Sequence, residues 1–121
     1  MTKRIAVPSD GQKGLKENVA EHFGRCPFYT ILDENGFILE FLKNASAHMG
    51  GTGLPPEFLK ENNIEVLLCQ GIGPKAISLC KSLGIDVYIS QTATVEEIFQ
   101  FWKNKTLKKA GLQDGCEDHQ S

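Results

Sequence analysis

The chain has 121 residues, 13 Lys and Arg against 15 Asp and Glu for a formal net charge of −2, 40% apolar and 23% charged residues. A chain of this length forms one domain that buries roughly two thirds of its extended-chain surface without staples, the lack of a basic field argues against nucleic acid, and no apolar run reaches the roughly 20 residues of a membrane span. Four scattered cysteines (Cys26, Cys69, Cys80, Cys116) with no C-x-x-C disfavour a zinc ribbon or a thioredoxin-type site, and with no secretory apolar region after Met1 they predict free thiols in the cytoplasm.

Arg4 to Pro8 is a short apolar run closed by Pro8-Ser9-Asp10-Gly11, a buried strand entering a polar loop. Gln12 to Asn18 continues as loop with room for one helical turn. Val19 to Tyr29 (V-A-E-H-F-G-R-C-P-F-Y) then concentrates the chemistry, with His22, Arg25 and Cys26 beside Gly24 and ahead of Pro27. Gly24 permits a turn closed to other residues and Pro27 biases Cys26 toward extended backbone, so Cys26 is expected where loop becomes strand, a place that can display a thiol. The competing reading makes Cys26 a small buried hydrophobe and His22 a surface histidine. Pro27 to Asp33 and Phe37 to Leu42, joined by Glu34-Asn35-Gly36, predict an antiparallel hairpin. Asn44 to Gly53, glycine-rich at its end and carrying His48, is expected to be a mobile loop.

Helix and strand then alternate. Pro55 and Pro56 open a helix that buries Phe58 and Leu59 and ends at Asn62-Asn63; Glu65 to Cys69 is a strand. Gly71-Ile72-Gly73-Pro74 turns into a helix with Ala76, Ile77, Cys80 and Leu83 on its inner face and Gly84 as its stop. Asp86 to Ile89 is a further strand. Thr94-Val95-Glu96-Glu97 is a capping box before a last helix whose expected apolar stripe is Val95, Ile98, Phe101 and Trp102. Residues 1–110 are thus expected to form a single α/β domain and Gly111 to Ser121, acidic and poor in apolar residues, a disordered tail.

This order predicts an α/β sandwich with a mixed sheet. Right-handed crossovers place the two later strands on the far side of the first strand from the hairpin, and the ligand crevice then opens at the switch in strand order. Ser9, Asp10, Gly71, Gly73 and the His22 to Cys26 loop are its expected lining.

The strings I-A-V-P-S-D-G (Ile5 to Gly11), E-H-F-G-R-C-P-F-Y (Glu21 to Tyr29) and G-I-G-P-K-A (Gly71 to Ala76) resemble the dinitrogenase iron-molybdenum cofactor biosynthesis family, over about Arg4 to Trp102. The resemblance implies a three-layer ribonuclease-H-like fold with a five-stranded mixed sheet, order 3-2-1-4-5 with strand 2 antiparallel. It also implies binding or carrying of an iron-sulfur or iron-molybdenum type cluster without catalysis, and exchange with a metallocluster donor or acceptor protein. As a stand-alone domain the chain is expected to lack the additional domains of the dedicated nitrogenase accessory proteins.

Cys26 with His22 and His48 is a ligand set of suitable softness but incomplete, which suits a cluster held transiently and passed on. Arg25 is expected to favour the thiolate and to offset an anionic cluster. Gly71-Ile72-Gly73 ahead of a helix offers backbone N–H groups to an anion, or is merely a tight turn. Cys69 and Cys80 read as core, and Cys116 with His119 as a weak C-x-x-H in the tail. Asp10 lacks the clustered acidic partners of a nuclease. Two other classes stay open: a small enzyme on an anionic metabolite with Cys26 as nucleophile activated by His22 or Arg25, and a metal-free regulatory domain that meets a protein through its glycine-rich loop and tail.

Overall fold

The computed structural model describes residues 3–44 and 54–107. The elements are β1 (Ile5–Ser9), a 3-10 turn (Gly14–Lys16), β2 (Phe28–Leu32), β3 (Ile38–Lys43), α1 (Pro55–Glu61), β4 (Val66–Cys69), α2 (Pro74–Ser82), β5 (Asp86–Ile89) and α3 (Val95–Lys103). They form one sheet in the order β3-β2-β1-β4-β5, in which β2 runs antiparallel to both neighbours while β1, β4 and β5 are parallel. Strand order and the antiparallel second strand are those expected above.

Alternation along the strands divides the core between the two faces of the sheet. Ala6, Tyr29, Ile31, Leu67, Cys69 and Val87 point into one cluster with Leu59 of α1 and Ile77 and Cys80 of α2. Ile5, Val7, Leu32, Val66 and Leu68 point into the other with Val95, Ile98 and Phe99 of α3. The helices thus make two outer layers, α1 and α2 on one face and α3 on the other. β1 and β4 are buried throughout, as expected of central strands covered on both faces.

Helix ends follow the local chemistry. Thr94 accepts the Glu97 N–H on its side chain while Glu97 reaches back to the Thr94 N–H, a complete capping box. The stripe of α3 differs from expectation at one position: Phe99 is buried, whereas Phe101 is 44% exposed. At about 100° per residue, Phe99 falls near Val95 on the helix face, while Phe101 falls on the far side.

Between β1 and β2 the chain is organised around a buried carboxylate. Glu17 is 4% exposed and accepts the backbone N–H groups of Lys13 (3.2 Å) and Asn18 (2.9 Å). A Cβ at Gly11 would lie 2.6 Å from the Glu17 Oε1, so any larger residue there would displace the carboxyl group from this position. The backbone beyond is held by Ala20 N–H to the Pro8 carbonyl and Val19 N–H to the Ala93 carbonyl, both 2.8 Å. These bonds carry the chain across the carboxyl ends of the central strands.

Candidate functional site

The crossing ends at His22, which forms a parallel bridge with Gly71, just past the end of β4. Phe23 donates its N–H to the Gly71 carbonyl at 2.8 Å, and Arg25 closes a turn on the His22 carbonyl at 3.3 Å. Gly71 must be glycine at this join, because a Cβ there would lie 2.8 Å from the Glu21 carbonyl oxygen and 3.5 Å from the His22 Nδ1. The close approach of two backbones leaves a depression of about 300 Å3 lined by His22, Phe23, Arg25, Gly71, Ile72 and Gly73. This is the strand-order switch at which α/β sheets bind ligands.

The depression has the means to hold an anion. Arg25 and His22 are exposed at its edge. The His22 Nε2 stands 3.9 Å from a Glu21 carboxylate oxygen, and both side chains are open to solvent. Gly73 is the N-cap of α2 and has open space where a Cβ would project. The helix start has no side-chain cap and Pro74 brings no N–H, so the first N–H groups of α2, which follow Gly73 on the depression's wall, have no capping side-chain oxygen.

Cys26 departs from its expected display. Its side chain is 2% exposed, within the core cluster of α1 and α2. Desolvation pushes the thiol up to about 11, against the smaller opposing effects of Tyr29 and of the Gly24, Cys26 and Ser9 backbone. Burial keeps the thiol protonated, so the thiolate that Arg25 was expected to favour does not form in this conformation. The Tyr29 hydroxyl is itself buried without a regular hydrogen bond, and its weak contact with the Cys26 thiol is the polar interaction left to it.

The residue that fixes this arrangement is Asn44, which sequence reasoning passed over as the start of a loop. Fully buried, it donates its side-chain amide to the Gly24 carbonyl at 3.1 Å and the Cys26 carbonyl at 2.8 Å, with the Cys26 Sγ at 3.9 Å. Its backbone N–H reaches the Pro27 carbonyl at 2.9 Å. Gly24, with φ +93°, lies against Pro55, whose Cγ would be 3.2 Å from an added Cβ. Asn44 and α1 therefore clamp the His22–Cys26 loop from below.

The other expected site residues separate. Ser9 is fully buried and does not line the opening; its hydroxyl pairs with that of Thr30 at 2.9 Å and reaches the Gly11 carbonyl at 3.2 Å. Asp10 is exposed, its backbone N–H bonded to the Asn18 carbonyl at 3.1 Å. Cys69 and Cys80 are buried thiols, as expected for core positions. His48, Cys116, His119 and the predicted tail lie outside the described residues. Among the described residues, no three His, Cys, Asp or Glu side chains come together to hold a metal ion, and no helix is long and apolar enough to cross a membrane.

Residues 1–105 match the family described as dinitrogenase iron-molybdenum cofactor. The chain belongs to that family. It is 35% identical over 111 residues to an uncharacterised protein of Methanocaldococcus jannaschii, covering 88% of this chain and 90% of that one. Among solved structures it is similar to the apo form of the orange protein from Desulfovibrio gigas, at 28% identity and a TM-score of 0.78 over 91% of this chain and 94% of that one. It is also similar to a Thermotoga protein proposed as NifB and placed in the DUF35 family, at 28% identity and a TM-score of 0.75 over 98% and 99% of the two chains. Family and fold neighbours together indicate an accessory role related to metal clusters.

Proposed function

We propose that this protein binds an iron-sulfur or iron-molybdenum type cluster, or a precursor of one, as cargo and passes it between a donor and an acceptor protein without catalysing a reaction on it. The observation that carries this reading is the depression where the His22–Arg25 loop meets the Gly71–Gly73 turn, which joins an exposed guanidinium and imidazole to an uncapped helix start. Such a site holds an anionic body by charge and by backbone N–H groups, and releases it readily because no set of thiolates encloses it. A buried, protonated Cys26 does not fit as a ligand while the loop is closed, so its part in this reading is to anchor the loop. His48, on the connection from β3 to α1, is the proposed additional ligand.

The family assignment and the likeness to the apo form of the orange protein support the cargo class. The alternative of an enzyme with Cys26 as nucleophile is weakened by the same burial, since a nucleophilic thiol needs both access and a lowered pKa. Anaerobic incubation of the full chain with iron and sulfide, with and without molybdate, tests the proposal. Metal and sulfide that travel with the protein through gel filtration and give charge-transfer absorption are the expected result, and protein that emerges without either under every condition refutes it.

A further inference from the structure

The opposite end of the sheet carries a second concavity that the depression does not use. Tyr88 of β5, Trp102 in the last turn of α3 and Leu107 floor a groove of about 480 Å3, rimmed by Glu34, Lys103 and Lys105. Glu34 fixes its place, because its carboxylate accepts the Lys3 backbone N–H at 2.8 Å immediately ahead of β1. The groove therefore lies at the amino ends of the parallel strands, whereas the depression lies at their carboxyl ends. Trp102 and Tyr88 are half-buried, and Trp102 packs on Phe99 with ring centroids 5.7 Å apart.

The rim is cationic. Among the described residues its charged groups are Lys103 and Lys105 against the single acid Glu34. Glu34 accepts the backbone N–H of Lys3 and stays a charged carboxylate, and Lys103 donates to the Glu34 backbone carbonyl at 2.8 Å and keeps its charge, so the described rim sets two cations against one anion. Lys105 has φ +63° in the turn that ends α3, where its N–H bonds the Trp102 carbonyl and the Thr106 N–H bonds the Phe101 carbonyl, both at 3.0 Å. Glycine is the favoured residue in that left-handed position. A lysine there accepts backbone strain and sets a cation on the rim.

We propose that this groove docks an acidic segment of a partner protein, with one aromatic or aliphatic side chain anchored on Tyr88, Trp102 and Leu107 and carboxylates meeting Lys103 and Lys105. An aromatic floor inside a charged rim is the anatomy of a protein-docking patch, and the net positive rim selects the acidic partner. The inference is independent of what occupies the depression at the other end of the sheet. It leaves that depression open while the partner is bound.

Trp102 is the only tryptophan, so its fluorescence in the full chain reads the groove directly. A short synthetic peptide of Asp and Glu with one central Phe should give a saturable change that weakens as ionic strength rises, and the same peptide with Lys in place of its acids should give none. Lys105→Gly should raise the melting temperature by roughly 4 °C by relieving the left-handed strain, yet weaken the acidic peptide by about fivefold. A lysine of structural importance alone would move the melting temperature and leave affinity unchanged, which would overturn the proposal. So would the absence of any saturable response, an equal response to the basic peptide, or an equal response to ATP, which would make this a small-anion site. Tenfold tighter peptide binding after deletion of residues 111–121 would assign the groove to the chain's own acidic end, and a dimer that the peptide dissociates would assign it to a second copy; either result replaces the partner.

Discussion

A thiol held 2% exposed and pushed up to about 11 remains protonated at neutral pH, so Cys26 should react slowly with iodoacetamide in the folded protein and rapidly once unfolded. The same shift makes stability fall with alkalinity. The unfolded thiol titrates near 9.0, and between 9.0 and about 11 the folded state keeps a proton that the unfolded state releases. Cys80, pushed up to about 12 by burial, extends the fall in the same direction. For Cys26 alone the loss is on the order of 2 kcal/mol across that window, read from urea melts at pH 8 and pH 11. Cys26→Ala should remove its own share of that alkaline loss, leaving that of Cys80, and cost about 1 kcal/mol at neutral pH through the cavity it leaves. Asn44→Ala should cost more, about 2 kcal/mol, because it strips the buried Cys26 carbonyl and the half-buried Gly24 carbonyl of their donor. The sequence brings out the chemical types in this loop but not the fate of Cys26, since the group that clamps it comes from 18 positions away. Ser9 was hidden for the same reason, its partner Thr30 being 21 positions distant and on another strand.

Elements were more legible than side-chain fates because each carries its own local signal. Pro55, Pro74 and Thr94 mark helix starts, Asn62-Asn63 and Gly84 mark ends, and Asn63 and Gly84 do adopt positive φ of 64° and 80°. Phe99 and Phe101 were exchanged because a short aromatic-rich helix offers two nearly equivalent stripes, and only the sheet packed against α3 chooses between them. The Glu17 carboxylate left no sequence signal at all; its role depends on the loop folding around it. Where two elements touch through their backbones the requirement is stricter. Gly71→Ala places a methyl group 2.8 Å from the Glu21 carbonyl and should force the His22–Gly71 bridge apart. Limited proteolysis should then cut the segment from Ala20 to Cys26 faster than in the wild type while β1 and β4 stay protected; unchanged cleavage would show that the join is slack.

For the whole molecule, strand order explains how residues far apart in the chain share one site. With β1 and β4 adjacent and parallel, the loops that follow them emerge at the same edge, and the isolated bridges from Ser9 to Val19 and from His22 to Gly71 tie those loops together. That much follows from alternating patterns and crossover handedness, which is why the meeting of these loops at one edge of the sheet was readable while the placement of their side chains was only partly so. The central claim is that the cargo is held by charge and backbone in the depression and not by the buried thiol. It is tested most directly by anaerobic loading of wild type, Arg25→Glu and Cys26→Ala with iron, sulfide and molybdate, followed by metal analysis of the gel-filtered protein and melts to verify folding. The account predicts metal in the wild type and in folded Cys26→Ala and at least about tenfold weaker retention in Arg25→Glu; a full load in Arg25→Glu with none in Cys26→Ala would contradict it and return the thiolate to the ligand set.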